Sequence, residues 1–298
     1  MLDLVKARLI KYFQSPLFYI AAAVSLASGI YGGVYCTYFK DEAGAVIGCP
    51  ADDMWILTAI WADIVLVAMC AGREFSDGTI RNKIAVGHTK TAIFLAEVIA
   101  ASIMTVIIYL LDILPTAIGG WFFISGIPAL YAAEWFINIF LTFELTSIFS
   151  AAITFLLAKR AVSVVAAFAL HFAFYIMAGA TNGYYYNIDE PKTGTDTFYI
   201  MYDDGRIEET EQEFENSYYI EGFPKTLIQI EHAVNPMYGL DDAMNFGYIT
   251  NKTMVDDHVI KQEQNRIRDL NSDVIKMLAY CIIVSFAGAY LFCKRDLK

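Results

Sequence analysis

"GREFSDGTIRNKIAVGHTKTAIF" occupies Gly72–Phe94, and the reading of the whole chain turns on it. It holds four Lys or Arg, two acids and three glycines, while strongly apolar sequence runs away from it on both sides. Lipid offers no hydrogen bonds to an irregular backbone, so a polar, glycine-punctuated stretch between two apolar runs reads as a water-facing connection between two membrane-crossing helices. Within it, Ser76 and Asp77 are candidate caps and Gly87 is a candidate stop. Residues 79–86 between them fit a short helix, with Ile80 and Ile84 sharing one face and Thr79 and Lys83 another.

The composition agrees. Hydrophobic residues make up 57% of the 298 and charged residues 18%, against roughly 45–50% apolar in soluble domains. Six runs approach the about 20 residues that a helix needs to cross a bilayer. They lie near 18–36, 55–72, 92–115, 135–158, 161–180 and 274–293. A core helix of a large soluble protein mimics one such run, not six. The expected fold class is therefore an all-α polytopic membrane protein with six transmembrane helices. The first run follows a sixteen-residue head and lacks a small-x-small site ahead of polar sequence, so it reads as a span rather than a cleaved leader.

Charge gives the orientation. Six spans put both termini on one side, together with Lys6, Arg8, Lys11, Arg73, Arg81, Lys83, Lys90, Lys159, Arg160, Lys294, Arg295 and Lys298, which are twelve of the 21 Lys and Arg. The loop 37–54 on the other side has only Lys40, and 116–133 has none. The excess of basic residues assigns that face, both termini and the connection 73–90 to the cytoplasm. The expected organisation is a cytoplasmic amphipathic helix over 1–16, spans one to five over 18–180, an acidic extracellular domain over 181–273, a sixth span over 274–293 and a cytoplasmic tail over 294–298.

The head "MLDLVKARLIKYFQSP" has Leu2, Val5, Leu9 and Phe13 at helical spacing, with Lys6, Arg8 and Lys11 covering much of the rest, and suits the inner membrane interface. In the first span Ser25, Gly29 and Gly33 recur every four residues and permit close helix approach, within one subunit or between two. The glycine- and proline-broken segment 116–134 is an outer loop, a continuation of the fourth span or part of an extra one. Segment 181–273 carries 19 acids against 7 Lys and Arg, so the whole acidic excess of the chain sits there. Short strands are expected near Thr197–Tyr202 and Asn216–Ile220, with a "DDG" turn after the first. Short helices are expected over "PKTLIQIEHAVNPMYGLDDAMNF", and a surface helix over "TMVDDHVIKQEQNRIRDLNSD" leading into the last span. Its recurrent Tyr and Phe argue for folded structure. The acids, Glu208–Glu215 above all, either steer a cationic ligand or serve solubility. Cys36 and Cys49 share the outer side and are left open as a pair. The triplet Asn251-Lys252-Thr253 is a glycosylation site only in a suitable secretory pathway.

Charged and polar residues inside the spans are expensive in hydrocarbon and should face protein or water. Asp63, Glu144 and His171 lie roughly 15–21 Å from the basic ends of their helices at 1.5 Å per residue, so the three are candidates to meet near mid-membrane. They form either an internal polar lock or an ion route. Asp112 and Glu134 sit nearer the outer ends, and Glu97 nearer the basic end. No phosphate-binding G-x-x-x-x-G-K-[ST], no H-E-x-x-H and no nucleophile set occurs, and the cysteines have no metal-ligand spacing. The chain is read as no enzyme, with no catalytic, cofactor or metal residues and no nucleic-acid partner.

The connecting stretch resembles the membrane (permease) subunits of ABC-2 type transporters, whose corresponding segment reads like "E…GT…R…L…G.SR". The matching residues are Glu74, Gly78, Thr79, Arg81, Asn82, Lys83 and Gly87, then His88-Thr89-Lys90 in the "SR" region, with Glu97 further on. His88 and Thr89 replace the usual small polar start of that triplet, and the outer segment is longer than in compact members. The resemblance implies that Glu74, Gly78, Thr79, Arg81, Lys83 and Gly87 form a coupling segment on separate cytosolic ABC ATPase subunits, which would bind ATP and Mg. It also implies an N-terminal elbow helix, a second permease copy or a homologous permease, and a bacterial cell membrane. Export of antimicrobial peptides, or immunity to them, follows by analogy, with a cationic peptide as substrate. The alternatives are an ion-coupled secondary transporter using Asp63, Glu144 and His171, and a membrane sensor or scaffold using the outer domain.

Overall fold

The computed structural model describes residues 1–38, 54–119, 129–186, 192–201, 207–238 and 257–295. In chain order these form α1 (Leu2–Phe13), α2 (Pro16–Tyr38), α3 (Met54–Ser76), α4 (Thr79–Ala85), α5 (Lys90–Gly119), α6 (Ala129–Leu157), α7 (Arg160–Tyr186), β1 (Thr193–Met201), β2 (Ile207–Glu215), α8 (Phe223–Val234) and α9 (Asp257–Lys294). Six helices, α2, α3, α5, α6, α7 and the second half of α9, are long and apolar enough to cross a membrane. Their order and approximate limits match the six apolar runs.

Burial sorts the spans. α6 is the most enclosed, with 78% of its span buried, whereas α7 and α9 have 22% and 17%. α3, α5 and α6 therefore make the core, and α2, α7 and α9 pack around it. The open side of α9 presents Ile275, Ile282, Phe286 and Tyr290, the apolar face a span turns to lipid or to another subunit.

The glycine stripe in α2 lies against α5 of the same chain. A Cβ on Gly29 would stand 2.0 Å from the Asp112 carbonyl oxygen, and one on Gly33 2.5 Å from the Pro115 oxygen. The absence of side chains there lets two backbones touch, and Thr116 donates across the gap to the Gly29 carbonyl at 3.1 Å. Of the two uses left open for the stripe, packing within one subunit is the one realised. On α6 a second small polar row, Thr142, Thr146, Ser150 and Thr154, returns its hydroxyls to carbonyls four residues back. Thr142 also meets the Met277 sulfur of α9 at 3.7 Å. Hydroxyls satisfied in this way can face a neighbouring helix without an orphaned donor.

Two boundaries differ from the sequence reading. α5 continues through Pro115 to Gly119, because a proline inside a span is tolerated where neighbouring helices satisfy the freed carbonyls. The segment 116–134 divides accordingly, 116–119 ending α5 and 129–134 opening α6; residues 120–128 lie outside the described residues, as does the side chain of Glu134. The surface helix before the last span merges with it into one 38-residue helix.

Between α7 and α9 the chain is not wholly helical. β1 and β2 form an antiparallel hairpin in which Thr195 faces Glu213, Thr197 faces Glu211 and Tyr199 faces Glu209. β1 overlaps the expected first strand. The second strand lies upstream of Asn216–Ile220, where Asn216 instead accepts from the amide of Tyr218 at 2.9 Å and starts a turn. Glutamate has low strand propensity, so "IEETEQEFE" reads as a charged surface; pairing with the Thr-rich β1 overrides that. The "DDG" turn, Cys49 and the sequon lie outside the described residues, and so does the side chain of Cys36.

α8 is fastened to both neighbouring spans. Its Glu231 accepts hydrogen bonds from Thr181 of α7 at 2.8 Å, from Asn235 at 2.5 Å and from Tyr238. Lys276 of α9 donates to the His232 carbonyl at 3.1 Å. The His232 ring stacks on Tyr185 at 3.4 Å. Burial there, then the nearby Lys276 charge, pushes its pKa down to about 3, so the ring is neutral at ordinary pH. The opposite side of α8 leaves Phe223, Leu227, Ile230 and Val234 exposed.

A candidate coupling junction at the basic end

The basic residues concentrate where several helix ends meet. Lys90 at the start of α5 donates to the carbonyls of Cys293 and Arg295 at 3.2 and 2.5 Å. Arg295 in turn donates to the carbonyls of Phe155 and Leu156 at 2.8 and 2.5 Å. Both cations thus close C-terminal helix ends, which carry unpaired carbonyls and partial negative charge.

α1 lies across this end on an unexpected face. The buried residues are Leu4, Val5, Arg8 and Tyr12, whereas Leu2 is 84% and Phe13 41% exposed. The apolar stripe anticipated through Leu2, Val5, Leu9 and Phe13 therefore turns only partly inward, because a charged pair decides the helix rotation. Arg8, 2% exposed, forms ion pairs with Glu97 of α5 and, at 2.9 Å, with Glu74 of α3. Tyr12 donates to Glu97 at 2.8 Å. Glu74 also takes Lys11 at 2.6 Å and Lys83 of α4. Burial alone would lower the Arg8 pKa, but the Glu97 carboxylate, Tyr12 and Glu74 outweigh it and hold the guanidinium firmly charged. Burial and then the Glu97 charge keep the Tyr12 phenol protonated, its pKa well above normal.

Glu74 consequently does not offer its carboxylate to a docking partner. It is 3% exposed and tied to three cations of the same chain. A carboxylate this close to three basic side chains gains more by turning inward than by staying in water. Its contribution is to seat α4 internally, through Lys83.

α4 spans Thr79–Ala85. The anticipated caps are not used: Ser76 ends α3 and returns its hydroxyl to Gly72, and Asp77 pairs with Arg73 at 3.3 Å. Gly78 takes the N-cap position in the left-handed region, φ +66°, and Thr79 donates to the Glu74 carbonyl at 3.0 Å. The stop is as expected. Gly87 has φ +100°, its amide bonds the Ile84 carbonyl at 3.0 Å, and the His88 amide bonds the Lys83 carbonyl at 3.1 Å. This double closure is the Schellman arrangement that a left-handed glycine permits. Ile80, 2% exposed, anchors the helix, while Arg81, Asn82, Ala85, Val86 and His88 face solvent.

The space around Gly78 is open, so any substitution there acts through the backbone alone. Gly78→Val is expected to destabilise α4 by about 1–2 kcal/mol, because a β-branched residue resists positive φ. Amide hydrogen exchange over 79–86 should accelerate roughly tenfold, and Gly78→Asn should recover most of the protection. Equal protection in Gly78→Val and the parent would refute a left-handed entry.

The intramembrane candidates separate into two groups. Asp63 is fully buried and accepts from Thr105 of α5 at 3.1 Å. Glu144 on α6 is buried as well. His171 is 4% exposed, and among the described residues neither ring nitrogen has a hydrogen-bond partner. All three are thus buried inside the bundle, and among the described residues no hydrogen bond or ion pair joins His171 to Asp63 or Glu144. Asp112 is fully buried at the α2–α5 contact rather than at the outer surface.

Arg8, Lys11 and Tyr12 were not picked out as bundle partners from the sequence. The available signal was an arginine in line with Leu4, Val5 and Tyr12 on one helix and a glutamate, Glu97, inside an apolar span. No protein-family model matches the chain, and no curated protein matches it.

Proposed function

We propose that this chain is the membrane subunit of an ATP-driven ABC-2-type exporter, with α4 seating on a separate cytosolic ATPase that binds ATP and Mg. The observation that carries the reading is the junction itself. A seven-residue helix stands out between the second and third spans, and one buried carboxylate, Glu74, ties it to α1 and α3 while Arg8 extends the tie to α5. Force applied at the exposed residues of α4 reaches three other helices through ion pairs, without a loose linker. In this reading α1 is the elbow helix on the inner interface, both termini are cytoplasmic, and two copies, or this chain with a similar permease, enclose the path. The acidic segment 181–273 faces outward and favours a cationic peptide as cargo. The resemblance of Glu74, Gly78-Thr79, Arg81 and Gly87 to the family pattern supports the same conclusion.

Arg81→Glu tests it. Arg81 is exposed and forms no ion pair among the described residues, so the reversal leaves the junction intact. Juxtaposed like charges at an interface cost on the order of several kcal/mol. Recovery of the ATPase with the purified membrane protein should fall by roughly tenfold or more, and transport-linked ATP hydrolysis should be lost at matched expression. Membrane insertion should persist, because Arg73, Lys83 and Lys90 keep the local charge. Normal ATPase recovery with Arg81→Glu would remove α4 as the seat.

Two buried carboxylates within the spans, Asp63 and Glu144, favour a second reading, an ion-coupled transporter. Gradient-driven transport in vesicles without any ATPase, abolished by Asp63→Asn, would establish it in place of the first.

A further inference from the structure

We propose that a cavity beside α1 binds the phosphate of an anionic lipid headgroup. The cavity encloses about 300 Å³ between α1, the end of α3 and the start of α7. Its charged lining is Arg8, Lys11, Arg73 and Arg160 against Glu74 and Asp77.

The pairing of these groups leaves one cation over. Glu74 is held by Arg8, Lys11 and Lys83, and Asp77 by Arg73. Arg160 has no ion pair among the described residues, and its Nε is buried without a hydrogen-bond partner. Arg160 as a whole is half-buried, but an Nε–H shut off from water without an acceptor costs free energy that a bound anion would recover. Arg160 is also held in place: a Cβ on Gly72 would lie 2.8 Å from the Arg160 Cα, so α3 and the start of α7 touch backbone to backbone. It opens α7, where the free amides of a helix N-terminus add positive potential. Lys11, with a half-exposed side chain shared with Glu74, lines the same cavity and adds a second cation.

The location selects the source of the phosphate. α3 ends at Ser76 and α7 starts at Arg160, so the cavity lies where spans leave hydrocarbon. Leu17 and Met69 line its apolar part, and α1, which supplies Arg8 and Lys11, also leaves Ile10 and Phe13 exposed. A diacyl phospholipid places its chains along such residues and its phosphate at the cations. Basic pockets between helix ends are a recurrent headgroup site. The site does not depend on an ATPase seated on α4.

The experiment uses the full chain in nanodiscs containing phosphatidylglycerol and phosphatidylcholine in equal amounts, and measures the lipid that co-purifies after exchange into neutral detergent. Phosphatidylglycerol should be retained preferentially. Arg160→Gln should reduce its retention roughly fivefold, the effect of one cation near an anionic headgroup. Lys294→Gln, at the same end but outside the cavity, should leave it unchanged. Should Arg160→Gln fold poorly, Gln14→Glu places a carboxylate on the cavity wall without touching Arg160, and should weaken retention likewise. Stabilisation of the lipid-free protein by inorganic phosphate, lost in Arg160→Gln and without any lipid preference, would keep the phosphate site and assign it to a free anion, overturning the lipid. No preference for either, or equal losses in Arg160→Gln and Lys294→Gln, would overturn the site.

Discussion

Arg8→Ala is expected to release α1 from the bundle and to destabilise the protein by about 3–5 kcal/mol, the range for removing one partner of a buried ion pair. Exposure is 2% at Arg8, 3% at Glu74 and 1% at Glu97, so solvent does not take over the missing charge. The two carboxylates suffer unequally. Glu74 keeps Lys11 and Lys83, whereas among the described residues Glu97 keeps only the Tyr12 hydroxyl. The penalty therefore falls mainly on Glu97, which would lose its guanidinium partner in a nearly dry site. A double variant, Arg8→Leu with Glu97→Leu, removes both charges and restores apolar packing, and such replacements are often neutral or stabilising. Unfolding in detergent, followed by denaturant or temperature, should show a large loss in Arg8→Ala and recovery of most of it in the double variant. Arg8→Lys should fall between, since an ammonium keeps the charge but not a fork that spans two carboxylates. A single variant as stable as the parent would mean that α1 is held by Leu4, Val5 and Tyr12 alone. A double variant as unstable as the single one would mean that packing rather than charge was lost.

Lipid explains which parts of this architecture were legible in the sequence. A span must be apolar over about 20 residues, so six spans stand out without any knowledge of their neighbours. The stop of α4 was legible as well, because Gly87 follows directly on the helical stretch that carries Ile80 and Ile84, and a glycine just past a helix end is the usual left-handed stop. What failed depended on partners distant in the chain. Glu74 reads as a surface acid in a polar loop until Arg8, 66 residues earlier in the numbering, is placed beside it. Arg8 reads as part of a solvated basic face until Glu97 supplies the reason for burying it. β2 hid for a similar reason: five glutamates in nine residues make sense as a strand only across from Thr193, Thr195 and Thr197. The positions of the basic residues have two physical reasons that coincide. The charge bias sets orientation, and Lys90 and Arg295 also neutralise the carbonyl ends of α9 and α6. The small-residue stripe could be read from Ser25, Gly29 and Gly33, but not which helix it met.

That stripe carries the other large effect. Gly29→Val is expected to separate α2 from α5, because the nearest atom to the added Cβ is a backbone oxygen, that of Asp112 at 2.0 Å, and not a side-chain tip that can swing aside. Overpacking a tight core costs about 1–3 kcal/mol and occasionally more; a clash with backbone belongs at the top of that range, since one helix must move bodily. Movement would also break the hydrogen bond from Thr116 to the Gly29 carbonyl and would loosen Gly33 from Pro115 four residues on. α2 has its most extensive packing with α5, so no other contact compensates. Gly29→Ala should already be harmful, although alanine is the better helix former by about 1 kcal/mol. Gly179 in α7 separates the two effects. It is exposed, and a Cβ placed on it would meet nothing within 4 Å, so Gly179→Ala should be neutral or slightly stabilising. Thermal unfolding in detergent of the three variants should then rank Gly179→Ala at or above the parent, Gly29→Ala below it and Gly29→Val lowest. If both alanine variants behaved alike, helix propensity would govern α2 and the close approach to α5 would not exist. If Gly29→Val kept its stability but lost self-association, the stripe would instead serve contact between two copies.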